Sequence, residues 1–346
     1  MPASAKERIE DERTDDLLDG FINLLKPAGM TSHDAVSALR RILRTKKIGH
    51  TGTLDPMAAG VLPMCIGRAT RATEYLEADR KRYRCELLLG ASSDTGDIWG
   101  DVAFEGRGAA GRITSDQVRD AIISMEGVQH QYPPMYSAIR KDGKRLYEYA
   151  REGIAVEVES REITVYEALP VHIFHEPGRA IFDIECSKGT YIRTVCEDIG
   201  KKLGCGAVMT FLSRTKSGRF DIVDSVTLEE IIALVQEQEG LTYDEVVNPG
   251  RKPPELQIDM DEVIMPVGEM LSGFGSIEAS PAELKKYVNG GKISLKNISV
   301  REENTRPSDD KFSDLYRVFG EDGIFAGTAK FDRQRKIFTA GKVFYR

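Results

Sequence analysis

The sequence predicts an α+β fold followed by a small, mainly β C-terminal unit. Helical and strand-like segments mix along the 346 residues without regular strand–helix alternation, and no internal repeat is present. From about Ser276 the texture changes to short strands between Gly and Asp turns, which suits a small barrel. The length itself points to about two domains.

Residues 1–19 carry a net charge of −4 and read as an acidic, polar, disordered tail. "GFINLLKPAGMTS" predicts a short strand, Phe21 to Leu25, stopped by a Pro-Ala-Gly turn. "TSHDAVSALRRILR" predicts a helix capped by Thr31 or Ser32, with Val36, Leu39 and Leu43 on one face and Arg40, Arg41 and Arg44 on the other. The Gly- and Pro-rich loop "GHTGTLDPMAAGVLP" follows, then the strand-like "KRYRCELLLG" and the capped helix "ITSDQVRDAIISM". "YPPMYSAIRKDGKRLYEYAREG" reads as an exposed loop running into a short helix closed by Gly153. Its tyrosines alternate with Arg140, Lys141, Lys144 and Arg145, which suits either a nucleotide-packing surface or a helix with a buried tyrosine face.

Strands resume at "EITVYEALPVHIF" and "AIFDIECS". A helix then runs from about Tyr191 to Gly204, followed by a strand and turn in "AVMTFLSRTKSGRF" and a helix in "TLEEIIALVQEQ". "NPGRKPPELQIDMDEVIMP" reads as extended wrapping or linker. Beyond it come the helix "SPAELKKYVNGG" and the strands "KISL", "YRVFG", "IFAGTAKF" and "KIFTAGKVFYR", with a polar, mobile loop at "REENTRPSDDKFSD".

Composition excludes several classes. Hydrophobic residues at 41% and charged residues at 30% describe an ordinary soluble globular chain. No apolar run approaches ~18 residues, so no membrane-spanning helix is expected. Cys65, Cys85, Cys186, Cys196 and Cys205 form no C-x-x-C pair, and the five histidines show no ligand spacing. A reducing, cytoplasmic setting and no bound metal are therefore expected. The net charge of −7 is unevenly spread. Ser37–Arg84 is net +7, Cys186–Arg219 net +5 and Asp221–Met270 net −11. Basic runs flanking one Gly-rich loop point to a polyanion-binding face.

The loop holding Asp55 lacks the lysine of a phosphate-cradling loop, a G-x-S-x-G elbow, a second carboxylate and a cluster of hard ligands. By spacing alone Asp55 is a turn-forming aspartate. The motif "GHTGTLDPMAAGVLPMCIGRATR", however, closely resembles the catalytic motif of the TruB family of tRNA pseudouridine synthases. "GFINLLKPAGMTSHDAV", "KRYRCELLLG", "PPMYSAIRKDGKRLYEYAREG", "CSKGTYIRTVCEDIGKKLGCGA" and "FLSRTKSG" extend the resemblance through most of the chain in the family's order.

The resemblance implies a catalytic domain over residues 20–272, built on a mixed, largely antiparallel sheet with flanking helices and an inserted RNA-binding loop. It implies a PUA-like RNA-binding barrel over 273–346. The implied reaction is isomerisation of the uridine at position 55 in the TΨC loop of tRNA, by base flipping and a catalytic aspartate. No cofactor is needed, and a role in tRNA folding is compatible. The central region is similar to the bacterial branch, which works alone. The implied partner is therefore the tRNA T stem-loop, with no guide RNA, no obligate protein partner and no membrane, and a monomer is expected.

By motif, Asp55 matches the catalytic aspartate, acting as nucleophile or as ribose proton abstractor. Tyr83 matches a tyrosine stacking on the base, and Arg193 the arginine that pairs with the carboxylate. Arg193 is expected to lower the Asp55 pKa and keep it ionised. Tyr191 and Leu212 match pocket walls, and His50 the plug filling the gap left by the flipped base. On the residues alone, Tyr83 and Leu212 read equally as core, Arg193 as a surface helix residue, and His50 has no stated role. The competing classes are a non-catalytic RNA-binding protein, the catalytic subunit of a guide-RNA particle, and a phosphate-ester enzyme. The last is disfavoured by the missing lysine and metal ligands.

Overall fold

The computed structural model describes residues 18–76, 80–154, 156–174, 178–251, 253–307 and 310–345. Residues 1–17 of the expected acidic tail lie outside these. Asp19, the last residue of that expected tail, accepts hydrogen bonds from the Arg68 backbone amide and from Arg68 Nε, each 2.6 Å.

A nine-stranded sheet organises the larger part of the chain. Its strands are β1 (Gly20–Lys26), β2 (Ile48–His50), β3 (Ala59–Ile66), β4 (Lys81–Leu89), β5 (Gly127–Gln131), β6 (Arg161–Phe174), β7 (Arg179–Cys186), β8 (Ala207–Ser217) and β9 (Phe220–Asp221). The order is β1-β3-β8-β4-β7-β6-β5, with β2 added to β3 and β9 to β8. Every ladder is antiparallel except β3–β8, where Ser213 faces Ala59 and Arg214 faces Gly60. The mixed, largely antiparallel sheet expected from the sequence is present.

One face of the sheet carries the longer helices. α1 (Ser32–Ile42) begins at Thr31, whose hydroxyl accepts from the Asp34 amide while the Asp34 carboxylate accepts from the Thr31 amide. This reciprocal cap satisfies two otherwise orphaned donors. The same device starts α2 (Ser115–Ile123) at Thr114 and α5 (Leu228–Glu239) at Thr227. α4 (Ile192–Lys202) starts at Tyr191 and ends before Gly204, which takes φ of 70°. The Val36, Leu39 and Leu43 face of α1 is buried as its spacing predicts. Of its arginines, Arg40 Nη2 donates to the Ile48 carbonyl and Arg44 Nη1 to the Pro254 carbonyl, so this face is partly tethered. The second of these contacts, with buried Leu256 and Met260, makes the Pro-rich segment a wrapping strap.

The exposed central segment contains a small ladder, Arg140–Lys141 against Lys144–Arg145, before α3 (Leu146–Arg151). Asp142 and Gly143, both at positive φ, make its two-residue turn. Among the α3 residues only Leu146 is buried, so the buried-tyrosine reading fails. Tyr147 and Tyr149 stay half-exposed beneath Arg145, Arg151 and Lys144.

The C-terminal sheet has six strands, β10 (Gly275–Ala279), β11 (Lys292–Ser294), β12 (Ile298–Glu302), β13 (Leu315–Gly320), β14 (Phe325–Asp332) and β15 (Ile337–Val343), in the order β11-β15-β14-β13-β10-β12. α6 (Pro281–Val288), capped by Ser280, buries Leu284 and Tyr287 against it. Two strands of this sheet went unanticipated. β10 is five residues long, and β12 is an edge strand whose side chains are largely exposed, so its sequence "ISVRE" reads as polar loop. The expected mobile loop completes β12 with Arg301 and Glu302. It is then pinned by Asn304 Nδ2, which donates to the Phe312 and Leu315 carbonyls at 3.1 and 2.7 Å.

β1 and β3 are buried on both faces, and β3 takes in Ala59–Pro63, which the sequence reads as part of the Gly- and Pro-rich loop. Ile22, Leu24, Leu62 and Met64 face the helices. Phe21, Val61 and Cys65 face a second cluster formed with Leu271, Phe274, Phe312 and Phe344. The C-terminal unit is thereby seated on the back of the larger sheet.

Candidate active site

The loop between β2 and β3 carries Asp55 and is braced from three sides. Ser32 Oγ accepts from the Leu54 amide at 2.9 Å and donates back to its carbonyl at 3.1 Å. Lys26, fully buried at the end of β1, donates to the carbonyls of Pro27, Met30 and Pro56 at 2.7, 2.6 and 3.2 Å. Arg214, 1% exposed on β8, donates to the carbonyls of Val61, Gly52 and Thr53 at 2.7, 3.1 and 3.4 Å. Gly60 is required here, because it takes φ of +107° and a Cβ would lie 2.3 Å from the Arg214 carbonyl oxygen. These contacts show why a turn so rich in backbone-shaping residues holds one carboxylate. The backbone is consumed in fixing the loop, and the Asp55 side chain is what it presents.

That side chain lies in a cleft of about 490 Å³. His50, Tyr83, Tyr191, Arg193 and Leu212 all line the same cleft, so the structure brings together all six residues singled out from the sequence. Strand alternation places two of them. In "KRYRC" the side chains of Lys81, Tyr83 and Cys85 turn inward, while Arg82 and Arg84 turn outward to Glu167 and Asp183. Leu212 stands opposite Cys85 on β8. The start of α4 places two more. Gln131 at the end of β5 holds the Tyr191 backbone at both ends, accepting from its amide at 2.7 Å and donating to its carbonyl at 3.0 Å. Arg193, 5% exposed, then reaches across the cleft with Nε 3.0 Å from Asp55 Oδ2. Its Nη1 and Nη2 donate to the Thr95 and Tyr136 carbonyls, both at 2.9 Å.

Arg193 lowers the Asp55 pKa as expected but does not set its net direction. Asp55 keeps 40% of its side chain exposed, yet its pKa is raised. Burial in the cleft is the largest cause, Arg193 pulls the other way, and Asp97 adds to the rise. Arg193 thus offsets desolvation without reversing it. Burial, helped by Arg214, pushes the His50 imidazole down towards its neutral form. Burial raises the phenols of Tyr83 and Tyr191 and lowers the Lys26 ammonium to about 8. Among the described residues no three His, Cys, Asp or Glu side chains are grouped to hold a metal, and no helix is long and apolar enough to cross a membrane.

Four contributors escaped the sequence reading: Lys26, Asp97, Gln131 and Arg214. Lys26 and Arg214 stand inside quoted motifs, "LLKPAGM" and "FLSRTK", and a cation within an apolar strand was the available signal. Asp97 and Gln131 carried none.

Residues 40–192 match the model of the TruB family pseudouridylate synthase N-terminal domain, and 193–272 match that of the tRNA pseudouridylate synthase B C-terminal domain. The chain is 42% identical over 278 residues to tRNA pseudouridine synthase B of Alkaliphilus oremlandii, covering 80% of this chain and 83% of that one. It is 37% identical over 324 residues to the protein of that name from Clostridioides difficile, covering 93% and 97%. Among solved structures it is similar to a chain of a Cbf5–Nop10–Gar1 complex, with a TM-score of 0.67 and 24% identity over 96% of this chain and 87% of that one, a likeness of fold. The matched residues build the sheet, the braced loop and the cleft alike, and the chain belongs to the TruB family of pseudouridylate synthases.

Proposed function

We propose that this chain isomerises a uridine of tRNA to pseudouridine, at position 55 in the TΨC loop, with Asp55 as the catalytic group. The observation that carries this is the Asp55–Arg193 pair, 3.0 Å apart at the floor of a cleft walled by Tyr83, Tyr191 and Leu212. In the reaction the bond from ribose to N1 breaks and one to C5 forms, while a proton leaves C5 and another is taken up at N1. The change is redox-neutral. A uridine inside a folded loop must leave its stack to reach Asp55, at a cost of a few kcal/mol. The cleft supplies what that requires: an aromatic wall in Tyr83 and Tyr191, an apolar one in Leu212, and His50 in the lining, held towards neutrality and able to fill the vacated stack. Asp55 acts as nucleophile or takes a ribose proton, and both roles use the ionised carboxylate that Arg193 favours.

The chain works on free tRNA without guide RNA or protein partner. The half-exposed tyrosines and cations around α3 support its reading as an inserted RNA-binding loop, and the C-terminal sheet is read as a PUA-like RNA-binding unit. Incubating the purified chain alone with an unmodified tRNA transcript, then mapping pseudouridine at single-nucleotide resolution, tests the proposal. Conversion at the T-loop uridine is expected. Tight binding without conversion would favour a binding protein, and conversion only with guide RNA and partner proteins would favour a particle subunit.

A further inference from the structure

We propose that a second cleft, beside the first, binds the phosphodiester backbone of the RNA next to the flipped nucleotide; this rests on the tRNA reading above. The cleft, about 300 Å³, lies between the start of β4 and the β8–β9 turn. Its lining holds Arg80, Lys81, Arg82, Lys216 and Arg219 against one acid, Glu185. Lys81 is among the lining residues of both clefts, so the two are neighbours along β4.

The register shows how the sequence builds this surface. Arg214 stands opposite Tyr83, but the next pairs are Lys216 with Arg82 and Ser217 with Lys81. Thr215 is thus an extra residue, a β-bulge, and it reverses the alternation of β8. Without it, Lys216 would share the inward face of Arg214. With it, Ser217 turns inward and accepts from Lys81 Nζ at 2.9 Å, while Lys216 turns outward beside Arg82. Like charges directly opposite on neighbouring strands destabilise a sheet. The nearby acids only partly relieve this. Arg82 reaches Glu167 at 3.0 Å and Arg80 reaches Glu185 at 3.1 Å, while Lys216 Nζ is 4.0 Å from Asp221. Arg219 is exposed in the turn. An anion between Lys216 and Arg82 completes the set. The ends of the two net positive runs, Arg80–Arg82 of one and Lys216 and Arg219 of the other, line it together. A cleft of cations without aromatic lining suits phosphate oxygens rather than bases. Tyr166 stands behind Arg80, its ring centroid 3.7 Å from the guanidinium carbon, and fixes where that charge points.

The test is tRNA binding by Lys216→Ala/Arg219→Ala, with affinity followed against salt. Losing two phosphate contacts should flatten the slope of log affinity against log salt by about 1.4–1.8. The charge-conserving pair Lys216→Arg/Arg219→Lys should keep the wild-type slope, and Arg219→Ala alone should lose about half as much as the double variant. An unchanged slope in the alanine double variant, or an equal loss in the charge-conserving pair, overturns the proposal. The binding measurement does not depend on turnover. A wild-type chain that binds with this slope but forms no pseudouridine would defeat the catalytic reading and leave the backbone site standing.

Discussion

Arg193 holds Asp55 at 3.0 Å while being held itself by the carbonyls of Thr95 and Tyr136. A guanidinium tied to two other segments cannot follow a drifting carboxylate. The geometry therefore fixes the acid in the cleft, and the charge tunes it in the direction opposite to burial.

Asp55→Asn keeps the shape and turn-forming ability of the side chain and removes its charge. The variant should fold, bind tRNA nearly as well as wild type, and form no pseudouridine above background. Binding and product are to be measured on one preparation, with deamidation excluded by mass spectrometry. Substantial product would leave Asp55 as turn scaffold.

Arg193→Ala should lower single-turnover rate by about 10²–10³-fold, the scale for losing one preorganised electrostatic partner. It should also move the acid limb of the rate–pH profile. Arg193 lowers the Asp55 pKa against burial, so its removal lets that pKa rise further, and activity is lost at a higher pH than in wild type. A limb that stays in place would detach Arg193 from the titrating group.

Arg214→Lys keeps a cation but cannot make the three fork-shaped contacts to the Asp55 loop and the start of β3. Rate should fall by roughly 10²-fold through misplacement of Asp55, with tRNA affinity much less affected. Gly60→Ala should cost about 2–4 kcal/mol in urea unfolding, because the backbone conformation and the Arg214 carbonyl both refuse a Cβ. A mild effect on stability there would mean that the loop can rearrange.

Lys26 offers a stability test. Its pKa falls from 10.5 to about 8 in the folded chain, chiefly through burial. Folding then releases a proton between those values, and stability contributed by this group rises as pH climbs from about 8 towards 10.5. Wild type should gain on Lys26→Met across that range in denaturant midpoints. A constant gap would show that Lys26 is not desolvated as described.

Much of this was legible in local pattern. Thr31, Thr114 and Thr227 announce their helices because a hydroxyl three residues before a carboxylate or amide makes a cap from neighbours alone. The alternation in "KRYRC" sorts Tyr83 inward from Arg82 and Arg84 outward. Arg214 was not legible, since its burial depends on the parallel β3–β8 ladder between residues about 150 positions apart. Nor was the net direction of the Asp55 shift. A motif shows that a cation is near, whereas desolvation depends on how five separate segments close over the carboxylate.

The cluster joining Phe21, Val61 and Cys65 to Phe312 and Phe344 has a consequence for biogenesis. Arg68 donates to the Phe344 carbonyl across 276 positions, and Arg71 to that of Val343. During translation the apolar back of β1 and β3 is made early, and its cover is completed only when residue 344 clears the ribosome. At ~5–20 residues per second that is a wait of tens of seconds. For that interval part of this apolar surface stays unshielded, and a premature stop in the last strands would leave that part so permanently.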